Sequence, residues 1–353
     1  MTDIEFHGLK VNAVTPLTDD AVAIALEVPA HLEDLFDARA GQHVTVRATI
    51  DAEDVRRSYS FCRKPRRGFI DIGVKRLQDG KFSTFATSQL KAGDTLEVAP
   101  PTGEFTLPRA GGPRHIAAIA AGSGITPVKS LIETVLADEP DAEATLVYGN
   151  KTPTTIMFLD DLADLKDLHP DRFQLIHVLS RDPGALPLFA GRIDRERIDG
   201  LLDTLIDATQ VDEWYLCGPY DMVTDARATL AERGVAADRI HDELFFSGPI
   251  DVPEPPPEDE AGTVLLRFLA DGITSEVRMR PETAILDAAL SVRPEMAYSC
   301  RGGMCATCKA KILEGSATMD KNYALIHAET DAGFVLTCQA HPTSDAVIVD
   351  YDA

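Results

Sequence analysis

The sequence predicts a multidomain chain: a small antiparallel β-barrel, then an α/β domain built on a parallel sheet, then a small α+β domain. Three observations predict it. Residues 1–110 hold short β-rich runs punctuated by Gly and Pro, with one helical stretch, which is the pattern of a small antiparallel barrel. Residues 111–248 alternate apolar strands with helical stretches, and such alternation puts helices on both faces of a parallel sheet. Residues 263–353 carry four of the six cysteines, and they follow a Pro- and acid-rich segment at 249–262.

The whole-chain properties agree with several packed cores. A chain of 353 residues is long for one domain, and 44% hydrophobic residues is enough apolar material to exclude gross disorder. The formal net charge of −23 argues against binding nucleic acid, which needs a basic footprint on the phosphates. It also suits steering toward a basic patch on a protein partner. No apolar run is long enough to span a bilayer. The acidic start, Met1-Thr2-Asp3-Ile4-Glu5, lacks the basic and apolar regions of a signal peptide, so a cytoplasmic protein with reduced cysteines is expected.

In the first domain the runs Val22–Val28, Gln42–Ala48, Ser58–Cys62, Phe69–Lys75 and Thr95–Val98 read as strands, and Lys81–Leu90 as a helix. Arg57-Ser58-Tyr59-Ser60 lies on one of these strands. An Arg can pair with a phosphate, a Tyr can stack on a flat ring, and a Ser can hydrogen-bond a ring heteroatom. Alternation puts Arg57 and Tyr59 on one face and Ser60 on the other. Gly80-Lys81-Phe82-Ser83 is a glycine turn opening a helix, where free N–H groups can hold a pyrophosphate. Lys75, closing its strand, is counted with these residues. Each motif alone also fits an ordinary edge strand or a plain helix start.

In the second domain His115–Ala120, Ala144–Tyr148, Phe173–Leu179 and Glu213–Cys217 read as strands, with helices after Pro127 through Ala137, over Thr155–Leu168 and over Tyr220–Arg233. Ligands of such sheets bind at the carboxyl ends of the strands. Gly122-Ser123-Gly124, with Thr126 and Pro127 beyond, ends the first strand and can admit a pyrophosphate, although a simple glycine turn reads the same way. Ser180 and Arg181 end the third strand, where an Arg can fork onto a 2′-phosphate or stand solvated in a loop. Cys217-Gly218-Pro219 ends a later strand, and Cys217 reads either as a buried thiol or as a small side chain facing a nicotinamide ring.

The segment Pro253-Glu254-Pro255-Pro256-Pro257-Glu258-Asp259-Glu260 reads as a semi-rigid linker. Beyond it, Val264–Leu269 and Ser275–Arg280 read as strands around Asp271-Gly272, Ala284–Val292 as a helix, and Lys309–Leu313 and Ala346–Val349 as further strands. Cys300, Cys305 and Cys308 are spaced C-x4-C-x2-C, with Cys338 further on. That is the ligand spacing of a plant-type 2Fe–2S cluster. Gly302 and Gly303 let the loop turn tightly and point N–H groups at the sulfides. Zinc favours two separated Cys pairs, and only Cys305/Cys308 form one.

Together, and in this order, these motifs resemble the ferredoxin–NADP reductase superfamily with a plant-type, β-grasp-like ferredoxin domain fused at the C-terminus. Arg57-Ser58-Tyr59-Ser60 and Gly80-Lys81-Phe82-Ser83 are similar to its flavin motifs, Gly122 through Pro127 to its nucleotide loop, and Cys217-Gly218-Pro219 and Glu243-Leu244-Phe245-Phe246 to its motifs near the nicotinamide. The resemblance implies FAD, NADPH (with NADH possible) and one 2Fe–2S cluster. It implies that Cys217, Ser60 and Glu243 act at the site of hydride transfer, with Gly218, Pro219 and Phe245 among the binding residues. Plant-type reductases end on an aromatic residue over the flavin; here the chain runs on, so Phe245 or Phe246 has to cover the ring, or nothing does. Among fused members the stretches Ala120 through Pro127, Leu146 through Asn150, Cys305 through Lys309, Val335 through Ala340 and the tail from Val347 to Ala353 are similar to the reductase components of phenylacetyl-CoA epoxidase complexes. It implies electron delivery to a partner di-iron oxygenase that epoxidises phenylacetyl-CoA. A reductase of the same build serving a ring hydroxylase or a hybrid-cluster protein, or a non-enzymatic iron–sulphur sensor, are the competing readings.

Overall fold

The computed structural model describes residues 5–353 except 52, 79, 110–111, 183–185, 245–252, 258–259, 271, 294–295, 297, 299–300, 304–305, 323 and 326. It contains two compact units, Ile4–Ser247 and Gly248–Ala353.

The first unit opens with β1 (His7–Thr18), β2 (Ala21–Glu27), β3 (His43–Ile50), β4 (Glu53–Ser60) and β5 (Phe69–Lys75), then α1 (Lys81–Ser88) and β6 (Thr95–Val98). Among the described residues these strands form one antiparallel sheet in the order β4-β3-β6-β1-β2-β5. Its two edges meet: Phe61, just past β4, bridges to Ile72 on β5, and the Cys62 amide donates to the Asp71 carbonyl at 2.9 Å. The sheet is therefore a closed barrel with no bare edge in that stretch. Alternate residues such as Leu9, Ile24, Val46, Ile72 and Leu96 fill its interior, each stabilising the fold by about 1.5–3 kcal/mol on burial. The first strand was not anticipated, because Gly8, Asn12 and Pro16 interrupt its run. The barrel accommodates Pro16 at a register shift between Pro16 and Thr18.

The nucleotide half of this unit adds β7 (His115–Ala121), α2 (Ile125–Asp138), β8 (Glu143–Asn150), α3 (Leu159–Leu168), β9 (Phe173–Leu179), α4 (Arg195–Thr204), β10 (Glu213–Gly218), α5 (Tyr220–Glu232) and β11 (Ile240–Leu244). The sheet order is β11-β10-β7-β8-β9, all parallel. The chain turns from one side of β7 to the other between β9 and β10, which makes the end of β7 the switch point where such sheets bind ligands. Helix α3 starts at Leu159 and not at Thr155, because Phe158 takes a left-handed φ of 58° and cannot continue a helix. Helix α4 was also not anticipated; Gly200 lies inside it, while Asp194 caps it by accepting from the Arg197 amide at 3.0 Å.

The second unit comprises β12 (Val264–Ala270), β13 (Ile273–Met279), α6 (Ile285–Val292), β14 (Lys309–Glu314), β15 (Ala317–Met319), α7 (His327–Asp331), β16 (Phe334–Leu336), β17 (Ala340–Pro342) and β18 (Ala346–Asp350). Its mixed sheet runs β13-β12-β18-β14-β16, with β18 parallel to β12 and antiparallel to β14. Ile285, Leu286 and Ala289 of α6 pack onto it. Part of the expected linker belongs to this unit. Pro256 is buried, and the Glu260 carboxylate takes a two-pronged pair from Arg280 at 2.8 and 3.0 Å.

Candidate functional site

The flavin motif is set by register. Pairing of β3 with β4 puts His43 opposite Ser60 and Val44 opposite Tyr59, so Ser60 and His43 share one face and Tyr59 the other. Tyr59 packs against Phe82 of α1, ring centroids 5.4 Å apart, and burial pushes its phenol well above the usual range. That brings the strand motif and the helix motif together, as their order suggests. No side chain caps α1; the Ser83 hydroxyl instead donates to the Gly80 carbonyl at 3.2 Å and accepts from the Leu77 amide at 3.1 Å. A Cβ on Gly80 would stand 2.4 Å from that hydroxyl, so a larger residue would displace the Ser83 side chain from its two bonds. Lys75 pairs with Asp20 at 3.5 Å.

The nucleotide loop is set by close approach. Gly122 has φ +54° with open space where a Cβ would be, and its carbonyl accepts from the Tyr148 hydroxyl at 2.9 Å. A Cβ on Gly124 would lie 2.2 Å from the Cys217 carbonyl oxygen, so only glycine lets the start of α2 reach the end of β10. The Thr126 hydroxyl donates to the Ser123 carbonyl at 3.0 Å, and Pro127 sits in the first turn of α2, where its missing N–H costs nothing. Ser180 and Arg181 are held beside the end of β8 by their amides, which donate to Asn150 and Lys151 carbonyls at 2.9 and 2.8 Å. Arg181 is exposed there. Pro219 directly precedes α5.

The two halves meet at Ser60, Cys217 and Glu243. Parallel pairing of β10 with β11 sets Cys217 beside Glu243. The Ser60 hydroxyl donates to Glu243 Oε2 at 3.3 Å. Burial pushes the Glu243 carboxyl up to about 8, against the opposing Ser60 hydrogen bond. The buried Cys217 thiol is also pushed well up, first by burial and then by Glu243 and Asp242. His43 faces the same carboxyl, Nδ1 to Oε1 at 4.0 Å, and burial lowers it to about 4. At that spacing both atoms are buried with no hydrogen-bond partner, a cost the fold accepts where a ligand completes the set. A flavin ring edge, which offers both donors and acceptors, suits this wall of the barrel. His43 escaped the sequence reading because one His on a β-rich strand looks like an ordinary core residue.

In the second unit Cys308 and Cys338 are buried in one core and neither is in a disulfide. Cys300 and Cys305 lie outside the described residues, as do Phe245 and Phe246. The Thr337 amide and hydroxyl both donate to the Cys308 carbonyl, at 3.1 and 2.8 Å, which ties the fourth cysteine to the loop. Gln339 Nε2 donates to the Arg301 carbonyl at 2.7 Å and to the Cys338 carbonyl at 3.1 Å, and Arg301 pairs with Asp287. Arg301, Gly303 and Ala306 all have left-handed φ values of 49°, 79° and 53°. Left-handed residues of this kind can build a concave loop whose N–H groups face a sulfide. The donor set fits a 2Fe–2S cluster. Gln339 was invisible in the sequence, where it reads as one more polar residue after a cysteine.

Comparison with known proteins agrees with this geometry. Three family models match: an oxidoreductase FAD-binding domain over residues 8–107, an oxidoreductase NAD-binding domain over 118–228 and a 2Fe-2S iron-sulfur cluster binding domain over 268–343. The chain is 41% identical over 351 residues to one component of the 1,2-phenylacetyl-CoA epoxidase of Escherichia coli, covering 99% of this chain and 98% of that one. It is 30% identical to the ferredoxin reductase component of a 3-ketosteroid-9-alpha-monooxygenase of Rhodococcus rhodochrous, covering 99% and 100%. The fold is that of a phthalate dioxygenase reductase, with a TM-score of 0.60 at 22% identity over 98% of both chains. The chain therefore belongs to the ferredoxin–NADP reductase superfamily, in the branch with a C-terminal plant-type 2Fe–2S domain, and is an electron-transfer oxidoreductase built for FAD, a nicotinamide nucleotide and one 2Fe–2S cluster.

Proposed function

We propose that the chain carries electrons from NADPH to the oxygenase that epoxidises phenylacetyl-CoA, inside the cytoplasm. The observation that carries this reading is the 41% identity, spanning both chains almost end to end, with a component of such an epoxidase. We assign residues 1–110 to flavin binding, 111–248 to nucleotide binding, 249–262 to the joining segment and 263–353 to the cluster.

The bound groups supply the redox chemistry: a nicotinamide gives two electrons as hydride, and flavin and cluster hand them on singly. The chain's own residues bind, orient and exclude water. Arg57, Ser58, Tyr59 and Ser60 with Lys75, and Gly80, Lys81, Phe82 and Ser83, would hold the flavin; Tyr59 would supply a ring face and the first turn of α1, which no side chain caps, its positive end. Gly122, Ser123, Gly124, Thr126 and Pro127, with Gly218 and Pro219, hold the nucleotide. Cys217 keeps a small buried wall at the meeting point, Ser60 holds the Glu243 carboxyl by its hydroxyl, and Phe245 is assigned by resemblance to the flavin site. Cys300, Cys305, Cys308 and Cys338 ligate the irons. Ser180 and Arg181 favour NADPH, because a guanidinium fork matches a phosphate.

Anaerobic titration of the purified protein tests this. NADPH bleaches the flavin and then the cluster, and Arg181→Ala raises KM for NADPH about tenfold or more while sparing NADH, because one charge-assisted phosphate contact is worth about 1.5–3 kcal/mol. Supplied with NADPH and candidate oxygenases side by side, the protein supports epoxidation of phenylacetyl-CoA. Equal KM values for the two nucleotides in the variant and the parent sink the NADPH assignment; turnover only with a different oxygenase sinks the partner.

A further inference from the structure

Lys129 is a lysine with no exposed side-chain surface, on the helix that begins at the nucleotide loop. Its Nζ donates to the Cys62 carbonyl at 3.2 Å, pairs with Glu133 at 2.5 Å and Asp161 at 3.0 Å, and stands 4.9 Å from the Phe158 ring centroid. Cys62 belongs to the barrel, two residues past β4; Glu133, Phe158 and Asp161 belong to the nucleotide half. The grip continues on the next residues. Glu133 accepts from the Lys64 amide at 2.7 Å, the Ser130 hydroxyl donates to the Arg63 carbonyl at 2.7 Å, and Arg63 pairs with Asp161 at 3.0 Å. A second close approach backs it: a Cβ on Gly73 of β5 would lie 2.6 Å from the Thr126 methyl and 3.2 Å from the Phe158 ring. Phe158 holds a left-handed backbone to place that ring, a conformation that costs about 1–3 kcal/mol and is kept only where neighbours impose it.

Stability alone does not account for a lysine here. Replacing a buried ionic group by an apolar side chain of similar volume is often neutral or favourable, whereas in some proteins a buried ionic group fixes one arrangement among several. The clamp also sits where it matters. It lies two residues beyond Ser60 and one helical turn beyond Thr126, so a shift at Lys129 moves the flavin strand against the nucleotide loop.

We propose that Lys129 is a positioning residue for hydride transfer, setting the spacing of the nicotinamide and flavin sites by locking residues 62–64 onto α2. This rests on the flavin and nucleotide assignments above. In Lys129→Met, flavin content and nucleotide affinity stay as in the parent. The anaerobic rate of flavin bleaching by NADPH falls about tenfold to a hundredfold, the scale of loss that a misplacement near 1 Å brings. The long-wavelength absorbance of stacked nicotinamide and flavin weakens with it, and Lys129→Arg recovers most of both. Should Lys129→Met fail to fold, the double variant Lys129→Met/Glu133→Gln removes the carboxylate left behind and is read in the same way. Arg233→Met, which breaks an exposed pair with Asp199 and Asp203, leaves the bleaching rate unchanged. A lower melting temperature with unaltered bleaching rate and absorbance overturns the proposal, as does a loss seen only in nucleotide affinity. A parent protein that NADPH and NADH both fail to bleach overturns the functional reading itself, and this proposal with it.

Discussion

Glu243, at the meeting point of the two halves, is held far from its ordinary protonation state by burial. An unburied Glu gives up its proton near 4.5, whereas this one holds it to about 8. Across that window the native state binds more protons than the unfolded one, so Glu243 makes stability fall as pH rises. His43 acts oppositely between about 4 and its ordinary 6.5, where the native state binds fewer protons. The two oppose each other up to 6.5, and from there to about 8 Glu243 acts alone. We expect the melting temperature of the flavin-free protein to fall across this upper window and Glu243→Gln to flatten the fall; a slope the variant leaves untouched refutes it. At this scale the sequence showed residue types and motifs but not partners. Ser60 and Glu243 are 183 positions apart, and only the meeting of barrel and sheet brings them into contact. Lys129 and His43 stayed hidden for a related reason. A lysine in a mostly apolar helix and a histidine in a strand read as ordinary residues until the opposite wall is known.

Helix α2 shows how an element carries function through its packing. Its first turn reaches the end of β10 only because Gly124 has no side chain, and the carbonyl it approaches is backbone that cannot swing aside. Gly124→Ala forces the loop off β10. We expect a melting temperature lower by several degrees, since core overpacking costs about 1–3 kcal/mol, and a larger loss of nucleotide affinity than of flavin content. Retained affinity, measured by titration with NADP, counts against this. Elements with clean periodicity were legible: β7, β9, β10 and α5 fall within a residue or two of expectation. Those with mixed signals were not. β1 carries Gly, Asn and Pro, and α4 carries an internal glycine; each is stabilised by neighbours, the barrel for one and the Asp194 cap for the other. The late start of α3 could not be foreseen, because it depends on the contacts that hold Phe158.

At the scale of the whole molecule the three-part architecture was legible, since each part has its own hydrophobic rhythm. The Pro-rich segment was less so: composition marks it as extended, but Pro256 and Glu260 are packed into the second unit. We propose that the segment serves as a tether, since proline-rich chain is extended at about 3.1 Å per residue. We expect deletion of Pro255 and Pro256 to slow electron delivery to the oxygenase while leaving NADPH-driven reduction of a small dye intact; equal losses in both assays, or none, argue against a tethering role.

Strand β18 lies at the middle of its sheet, between β12 and β14, although it is translated after both. On the ribosome, then, the hairpin of β12 and β13 and the pairing of β14 with β16 are two separate fragments until Ala346–Asp350 emerges. We expect iron loading to wait for that last stretch, with nascent chains stalled before it carrying a folded first unit and a protease-sensitive remainder; iron retained by such stalled chains refutes this.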